Sequence, residues 1–120
     1  MNEKRIIGDF AEQAVVDALK SKGLVLITRN FYVHNVGEID IAMRKGNTVY
    51  VIEVKSRLEG NSFQSACEAV SISKCHKIRK TTAYLIAKYG LEDLNVIFLA
   101  GCVTHNRAGV VQKIEIIPFE

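Results

Sequence analysis

The feature that most constrains the fold is a strand–turn–strand pattern over residues 37–57, "GEIDIAMRKGNTVYVIEVKSR". Two runs with alternating apolar residues flank Gly46–Asn47, a dipeptide typical of two-residue hairpin turns. This turn pairs Lys45 with Thr48, and successive side chains on each strand point to opposite faces. The pattern therefore predicts an antiparallel hairpin with a defined register.

In this register Asp40 lies opposite Glu53, and Glu38 lies opposite Lys55. One face of the hairpin is thus predicted to mix charged and apolar side chains, namely Glu38, Asp40, Ala42, Val51, Glu53 and Lys55. The other face is predicted to be wholly apolar, with Ile39, Ile41, Ile52 and Val54. A slip of one residue would exchange the two faces, so the register can be tested.

Two carboxylates in opposite positions are about 5 Å apart at Cβ, and their repulsion destabilises the sheet, most strongly in a low dielectric. Either Lys55 or a bound divalent cation can offset that repulsion. Mg²⁺ suits the second role, because it binds one or two carboxylates together with water and substrate phosphate. Glu-x-Lys within a strand is also typical of an exposed ion pair. Glu12 is either a third carboxylate at the border of a helix or an ordinary solvent-facing glutamate.

The remaining sequence predicts the order helix, three strands, helix, two strands. This is an α/β fold with a mixed sheet of about five strands flanked by helices, in one domain over residues 1–120. Pro118 places the last strand at an edge of the sheet. The other predicted elements are a helix over about Glu3–Lys22, a strand over Leu24–Asn30, a helix over about Ser65–Tyr89, and strands over Asn95–Val103 and Gly109–Phe119.

Charge and hydropathy limit the partners of the chain. Its formal net charge of +3 is compatible with a polyanion but does not require one. Its longest apolar run is too short to cross a bilayer, so we expect a cytoplasmic protein without a membrane partner. Cys67, Cys75 and Cys102 are odd in number and lack Cys-x-x-Cys spacing, which predicts reduced thiols.

Basic residues supply candidate contacts to nucleic acid. Arg57 continues the strand face of Glu53 and Lys55, whereas Lys74 and Lys77 flank the apolar face of the second predicted helix. Lys80 is predicted on its outer face. All of these residues are also typical of an ordinary solvated surface. We expect few exposed aromatic side chains, and hence recognition of nucleic-acid backbone and shape rather than of bases.

The segments "GDFAE" at residues 8–12, "GEIDIA" at residues 37–42 and "VIEVKSR" at residues 51–57 resemble the YraN-like family of predicted bacterial endonucleases. That family lies within the PD-(D/E)XK nuclease superfamily. The resemblance implies a restriction-endonuclease-like fold and Mg²⁺-dependent hydrolysis of DNA, with Mn²⁺ as a substitute and branched DNA as one candidate substrate. It implies metal ligation by Asp40, Glu53 and Glu12, with Lys55 serving the attacking water. The implied catalytic residues are Glu12, Asp40, Glu53 and Lys55.

Three functions remain open from the sequence. The first is a metal-dependent DNA endonuclease, and the second is a nuclease-fold module that binds DNA without cutting it. The third is a protein-interaction domain in which Asp40, Glu53 and Lys55 form an internal salt bridge. A homodimer would supply two sites for cutting two strands, although no motif specifies one.

Overall fold

The computed structural model describes residues 3–60 and 72–118, and side chains within the first range from Gly8 onward. Five strands form one open sheet in the order β1-β2-β3-β4-β5, antiparallel except for the parallel pair β3–β4. The predicted α/β class with a mixed five-stranded sheet is therefore confirmed, and β5 is an edge strand as Pro118 indicated. The elements are α1 (Glu3–Lys20), β1 (Val25–Val33), β2 (Gly37–Lys45), β3 (Thr48–Leu58), α2 (Ile72–Tyr89), β4 (Asn95–His105) and β5 (Val111–Pro118).

The two helices cover opposite faces of the sheet and create two separate cores. Helix α1 buries Val15 and Leu19 against Ile41, Ile52 and neighbouring strand residues. Helix α2 buries a second stripe against the other face, formed by Ile78 and Leu85 with Ala42, Val49 and Val51. Burial on both sides explains why β3 is rich in β-branched residues. The part of the second helix predicted before residue 72 lies outside the described residues.

The hairpin register is confirmed along most of its length. Lys45 pairs with Thr48, and the ladder continues to the pair Ile41–Ile52. Gly46 has a φ of 58°, a conformation that glycine adopts without steric cost in such a turn. The ladder of paired residues ends at Ile41–Ile52, so the predicted pair of Asp40 with Glu53 does not form.

The predicted division of faces is wrong at the start of β2, where Ile39 and its neighbours Glu38 and Asp40 lie on the faces opposite to those predicted. Ile41 and Ile52 lie in the α1 core as expected, whereas Ile39 lies in the α2 core. Residues two apart on a regular strand share a face, so β2 interrupts its alternation around Asp40.

Strand β1 has a matching interruption. Arg29 contacts helix α1, but Phe31 packs into the α2 core, and Asn30 between them has a φ of 52°. Arg29 pairs with Ile41 and Phe31 pairs with Ile39, so the two strands change face side by side. Asn30 tolerates this left-handed conformation better than most residues do.

Two other expectations need correction. Cys102 is disulfide-bonded instead of reduced, Cys75 is a free, half-buried thiol, and Cys67 lies outside the described residues. Exposed aromatic side chains are also more numerous than expected, since Phe10, Tyr32 and Tyr84 are 58%, 64% and 55% exposed. Within residues 3–60 and 72–118, no helix is long and apolar enough to cross a membrane.

Candidate active site

An acidic cavity of about 360 Å³ opens beside the point where β1 and β2 change face. Two of the carboxylates singled out from sequence, Glu12 on α1 and Asp40 on β2, line this cavity together. We call it the acid cavity. Its lining residues are Gly8, Asp9, Glu12, Asn30, Glu38 and Asp40.

Asp40 is fixed by the backbone of the neighbouring strand. The amide N–H of Val54 donates a hydrogen bond of 2.8 Å to Asp40 Oδ2. The carboxylate therefore takes over a position that a ladder hydrogen bond would fill if the hairpin continued regularly. This contact orients Oδ2 toward β3, and no described residue hydrogen-bonds to Oδ1.

The electrostatic environment of Asp40 disfavours its charge. Burial and the nearby Glu53 carboxylate raise the pKa of Asp40 from 3.8 to about 7. The hydrogen bond from Val54 acts in the opposite direction, and the charges of Glu12 and Glu38 add smaller upward contributions. Concentrated negative charge of this kind is what a bound cation would relieve.

Glu53 is held from the α2 side of the sheet. It is 8% exposed, and its Oε1 lies 2.5 Å from Nζ of Lys74. The Lys74 side chain is 45% exposed, so this ion pair extends from a buried carboxylate to the protein surface. Glu53 influences Asp40 through its charge, although the two acids do not form the direct cross-strand pair that the sequence predicted.

Glu12, on α1, is held by Arg29 of β1. Nη2 of Arg29 lies 3.3 Å from Glu12 Oε1, and Nη1 of Arg29 donates a 2.7 Å hydrogen bond to Gln13. Burial raises the pKa of Glu12, with Arg29 opposing the effect. The Nε atom of Arg29 is buried and has no hydrogen-bond partner among the described residues.

Of the four basic residues predicted from the sequence, one contacts an acid of the candidate site among the described residues. Lys55 and Arg57 follow Glu53 at alternate positions of β3, are half-buried, and form no ion pair with the described residues. Lys74 reaches Glu53, whereas Lys77 lines a separate groove on α2. The structure thus groups Glu12 with Asp40 and links Glu53 electrostatically to Asp40.

The donor set fits a hard divalent cation in chemical type. Asp40, Glu53 and Glu12 offer carboxylate oxygens, the ligands that Mg²⁺ prefers, and Mg²⁺ needs only one or two of them besides water. As arranged here, with Glu12 and Glu53 in ion pairs, the described residues contain no group of three or more acidic, histidine or cysteine side chains that could hold a metal. A Mg²⁺ site at this position would therefore use fewer than three of the carboxylates, or require Glu53 or Glu12 to leave its basic partner.

Sequence reasoning missed Arg29 and Asn30. Arg29 orients Glu12. Asn30 adopts a left-handed backbone conformation and lines the acid cavity. A signal was available, since two polar residues end the apolar run "LVLIT" before another run of aromatic and β-branched residues. Periodicity alone does not reveal which face they adopt.

Comparison with known proteins gives a consistent family relationship. The model of the family described as "Uncharacterised protein family UPF0102" matches residues 11–112. A UPF0102 protein of Legionella pneumophila strain Corby is 38% identical over 86 residues, covering 72% of this chain and 71% of the relative. A UPF0102 protein of Acinetobacter baumannii strain AYE is 35% identical over 83 residues, covering 69% of this chain and 61% of the relative. The chain therefore belongs to the UPF0102 family, the YraN-like group that its sequence motifs resemble.

Proposed function

We propose that this protein is a metal-dependent endonuclease that hydrolyses DNA phosphodiester bonds. The main support is the acid cavity, where Asp40 lies beside Glu12 and within electrostatic range of Glu53. A fold gains nothing in stability from burying acids beside one another. The arrangement is chemically useful if the acids bind a divalent cation that also contacts a scissile phosphate.

Asp40 and Glu53 are the proposed metal ligands, with Glu12 completing or tuning the site. A divalent cation bound there would polarise the phosphoryl group and lower the pKa of a bound water. Lys55 follows Glu53 by two residues on the same strand face, where its ammonium group can orient the attacking water or stabilise charge developing on phosphorus. Arg57, two residues further, is proposed to contact a flanking phosphate.

A non-cleaving DNA-binding module is the second candidate. The ion pairs Glu53–Lys74 and Glu12–Arg29 favour it, because they neutralise two of the acids with basic groups of the protein itself. In that case the acids would be structural, and a divalent cation would change neither stability nor DNA affinity. DNA and a second copy of the chain are proposed partners under both functions.

A cleavage assay with metal titration separates the two candidates. Purified protein is incubated with duplex, flap and four-way DNA in Mg²⁺ or Mn²⁺, beside the variants Lys55→Ala and Asp40→Asn. We expect cutting by the parent chain and a loss of about 10²–10³-fold in Lys55→Ala, the range for removing one charge-stabilising group. Lys22→Ala, an exposed lysine at the opposite end of the sheet, is the matched control and should cut normally.

Binding measurements complete the test. If calorimetry detects no Mg²⁺ or Mn²⁺ binding and no substrate is cut, while DNA is still bound, the endonuclease proposal is wrong and the binding module is correct. If DNA is neither bound nor cut, both proposals fail. Cutting that persists in Asp40→Asn would show that another site is responsible.

A further inference from the structure

A second concave surface lies outside the acid cavity, between the β1–β2 turn and helix α2. This groove of about 520 Å³ shares no lining residue with the acid cavity, and we call it the α2 groove. We propose that it binds a single-stranded segment of the nucleic-acid substrate, with Tyr84 stacking on a base and Lys77 and Lys80 contacting phosphates. This inference rests on the proposed function. The lining residues are Asn35, Val36, Lys77, Lys80, Ala83 and Tyr84.

The groove depends on a close approach of α2 to the start of β2. A Cβ atom on Gly37 would lie 2.7 Å from Thr81 Oγ1 and 3.6 Å from the carbonyl oxygen of Lys77. The Thr81 hydroxyl is itself fixed by donating a 2.7 Å hydrogen bond to that carbonyl. Glycine at this position therefore allows the helix and the turn to form the two walls of one groove.

The chemistry of the lining favours a polyanion with flat rings. Tyr84 is 55% exposed and so presents an aromatic ring in the groove on which a base can stack. Lys77 and Lys80 are exposed and have no carboxylate partner among the described residues, and no acid lines the groove. Unpaired bases offer rings for stacking and a phosphate for each lysine, whereas an acidic peptide would use only the lysines.

The groove is aligned with the candidate active site along α2. Lys74, Lys77, Lys80 and Tyr84 recur every three or four residues and so follow one side of the helix. Lys74 at one end contacts Glu53, and Tyr84 at the other end lies roughly 15 Å away at 1.5 Å per residue. That distance corresponds to on the order of four nucleotide steps of a stacked, B-form strand at 3.4 Å each, and to fewer steps of an extended strand.

The alignment predicts a substrate preference. A strand with its scissile phosphate near Glu53 would bring a base a few nucleotides away onto Tyr84. Stacking on a side chain requires that base to be unpaired. DNA with a single-stranded flap or overhang beside the cleavage position should therefore bind more tightly than uniform duplex.

Fluorescence anisotropy in EDTA tests this inference without any cleavage. The probes are a labelled oligothymidylate of about 12 nucleotides, within the usual range of single-strand site sizes, and a duplex of the same length. Tyr84→Ala should weaken single-strand binding roughly 5- to 150-fold, the effect of losing one stacked base, while Tyr84→Phe should bind normally. Lys77→Ala and Lys80→Ala should each reduce the slope of log Kd against log salt concentration by about one, the value expected for the loss of one phosphate contact.

Two exposed residues away from the groove are controls. Phe10→Ala removes an exposed aromatic side chain from α1, on the other face of the sheet, and Lys22→Ala removes a lysine at the opposite end of the sheet; both should bind as the parent does. The inference is overturned if Tyr84→Ala binds the single strand normally, or if it weakens duplex and single strand equally. Displacement of the oligonucleotide by a polyglutamate peptide, with no effect of Tyr84→Ala on that peptide, would assign the groove to an acidic peptide instead.

The outcome is separable from that of the nuclease test. If no DNA is cut but the anisotropy results hold, the groove is a single-strand site on a binding module. If DNA is cut but Tyr84→Ala behaves as the parent in anisotropy, the groove assignment alone is wrong.

Discussion

Replacing Asp40 with asparagine should stabilise the metal-free protein above neutral pH. The pKa of Asp40 is raised from 3.8 to about 7 by burial and by Glu53, so the folded state holds its proton more tightly than the unfolded chain does. Stability is then lost as the pH rises from about 4 to about 7, and the full cost applies above that range. The two values differ by roughly three units at about 1.4 kcal/mol each, which sets an upper bound of about 4 kcal/mol.

The expected gain for Asp40→Asn at pH 8 is smaller, about 1–3 kcal/mol, because the charges are shared with Glu53 and the site relaxes. Asparagine keeps a side-chain oxygen that can accept the hydrogen bond from Val54, so the contact to β3 need not be lost. Urea unfolding at pH 4, 6 and 8 in EDTA measures the effect, and Asp93→Asn, an exposed aspartate in a turn, is the control.

Mg²⁺ should remove or reverse the stability advantage of Asp40→Asn over the parent. Saturation at about a hundred times Kd would stabilise the parent by about 2.7 kcal/mol and leave Asp40→Asn unchanged. The reasoning is refuted if Asp40→Asn is less stable than the parent at pH 8 without metal. Equal stabilisation of both proteins by Mg²⁺ would place the ion elsewhere.

Four further predictions follow from individual contacts. Arg29→Ala should raise the pKa of Glu12 further, because it removes the group that opposes burial, and carboxyl NMR titration would detect the change. Lys74→Ala should tighten Mg²⁺ binding by up to about fivefold in calorimetry, since a partly exposed ion pair is worth at most about 1 kcal/mol. Gly37→Ala should cost about 1–3 kcal/mol in urea unfolding, because its Cβ overlaps Thr81. Ile52→Ala, at a fully buried residue of the α1 core, should cost about 2–5 kcal/mol.

Each of these has a clear contrary result. An unchanged Glu12 titration would mean that Arg29 does not control that carboxylate. Weaker Mg²⁺ binding in Lys74→Ala would mean that Lys74 supports the ion instead of competing with it. Unchanged stability in Gly37→Ala would show that α2 can move away from β2, and a loss below about 1 kcal/mol in Ile52→Ala would mean that the α1 core repacks.

Sequence reasoning was most successful where periodicity and turn chemistry agree. The pair Gly46–Asn47 predicted the hairpin and its register to the pair Ile41–Ile52, and Pro118 predicted an edge strand. It failed at Ile39, because strict alternation assumes a regular strand, and a local backbone interruption leaves no trace in hydrophobic periodicity. The partner of Glu53 was equally invisible, since Lys74 is separated from it by 21 positions and meets it only through packing of α2.

The interruption at Asp40 explains how this sheet can place acids near one another without pairing them directly. A regular strand would put Asp40 opposite Glu53, at the distance where like charges destabilise a sheet most. Instead Asp40 shares the acid cavity with Glu12, while Lys74 neutralises Glu53 from the α2 side. A cation bound by Glu53 together with Asp40 would compete with Lys74 for the Glu53 carboxylate. Lys74 is the more readily released of the two basic partners, because its side chain is 45% exposed whereas that of Arg29 is 26% exposed. Because Lys74 lies on the side of α2 that continues to the α2 groove, a DNA phosphate bound there would compete with Glu53 for the Lys74 ammonium group.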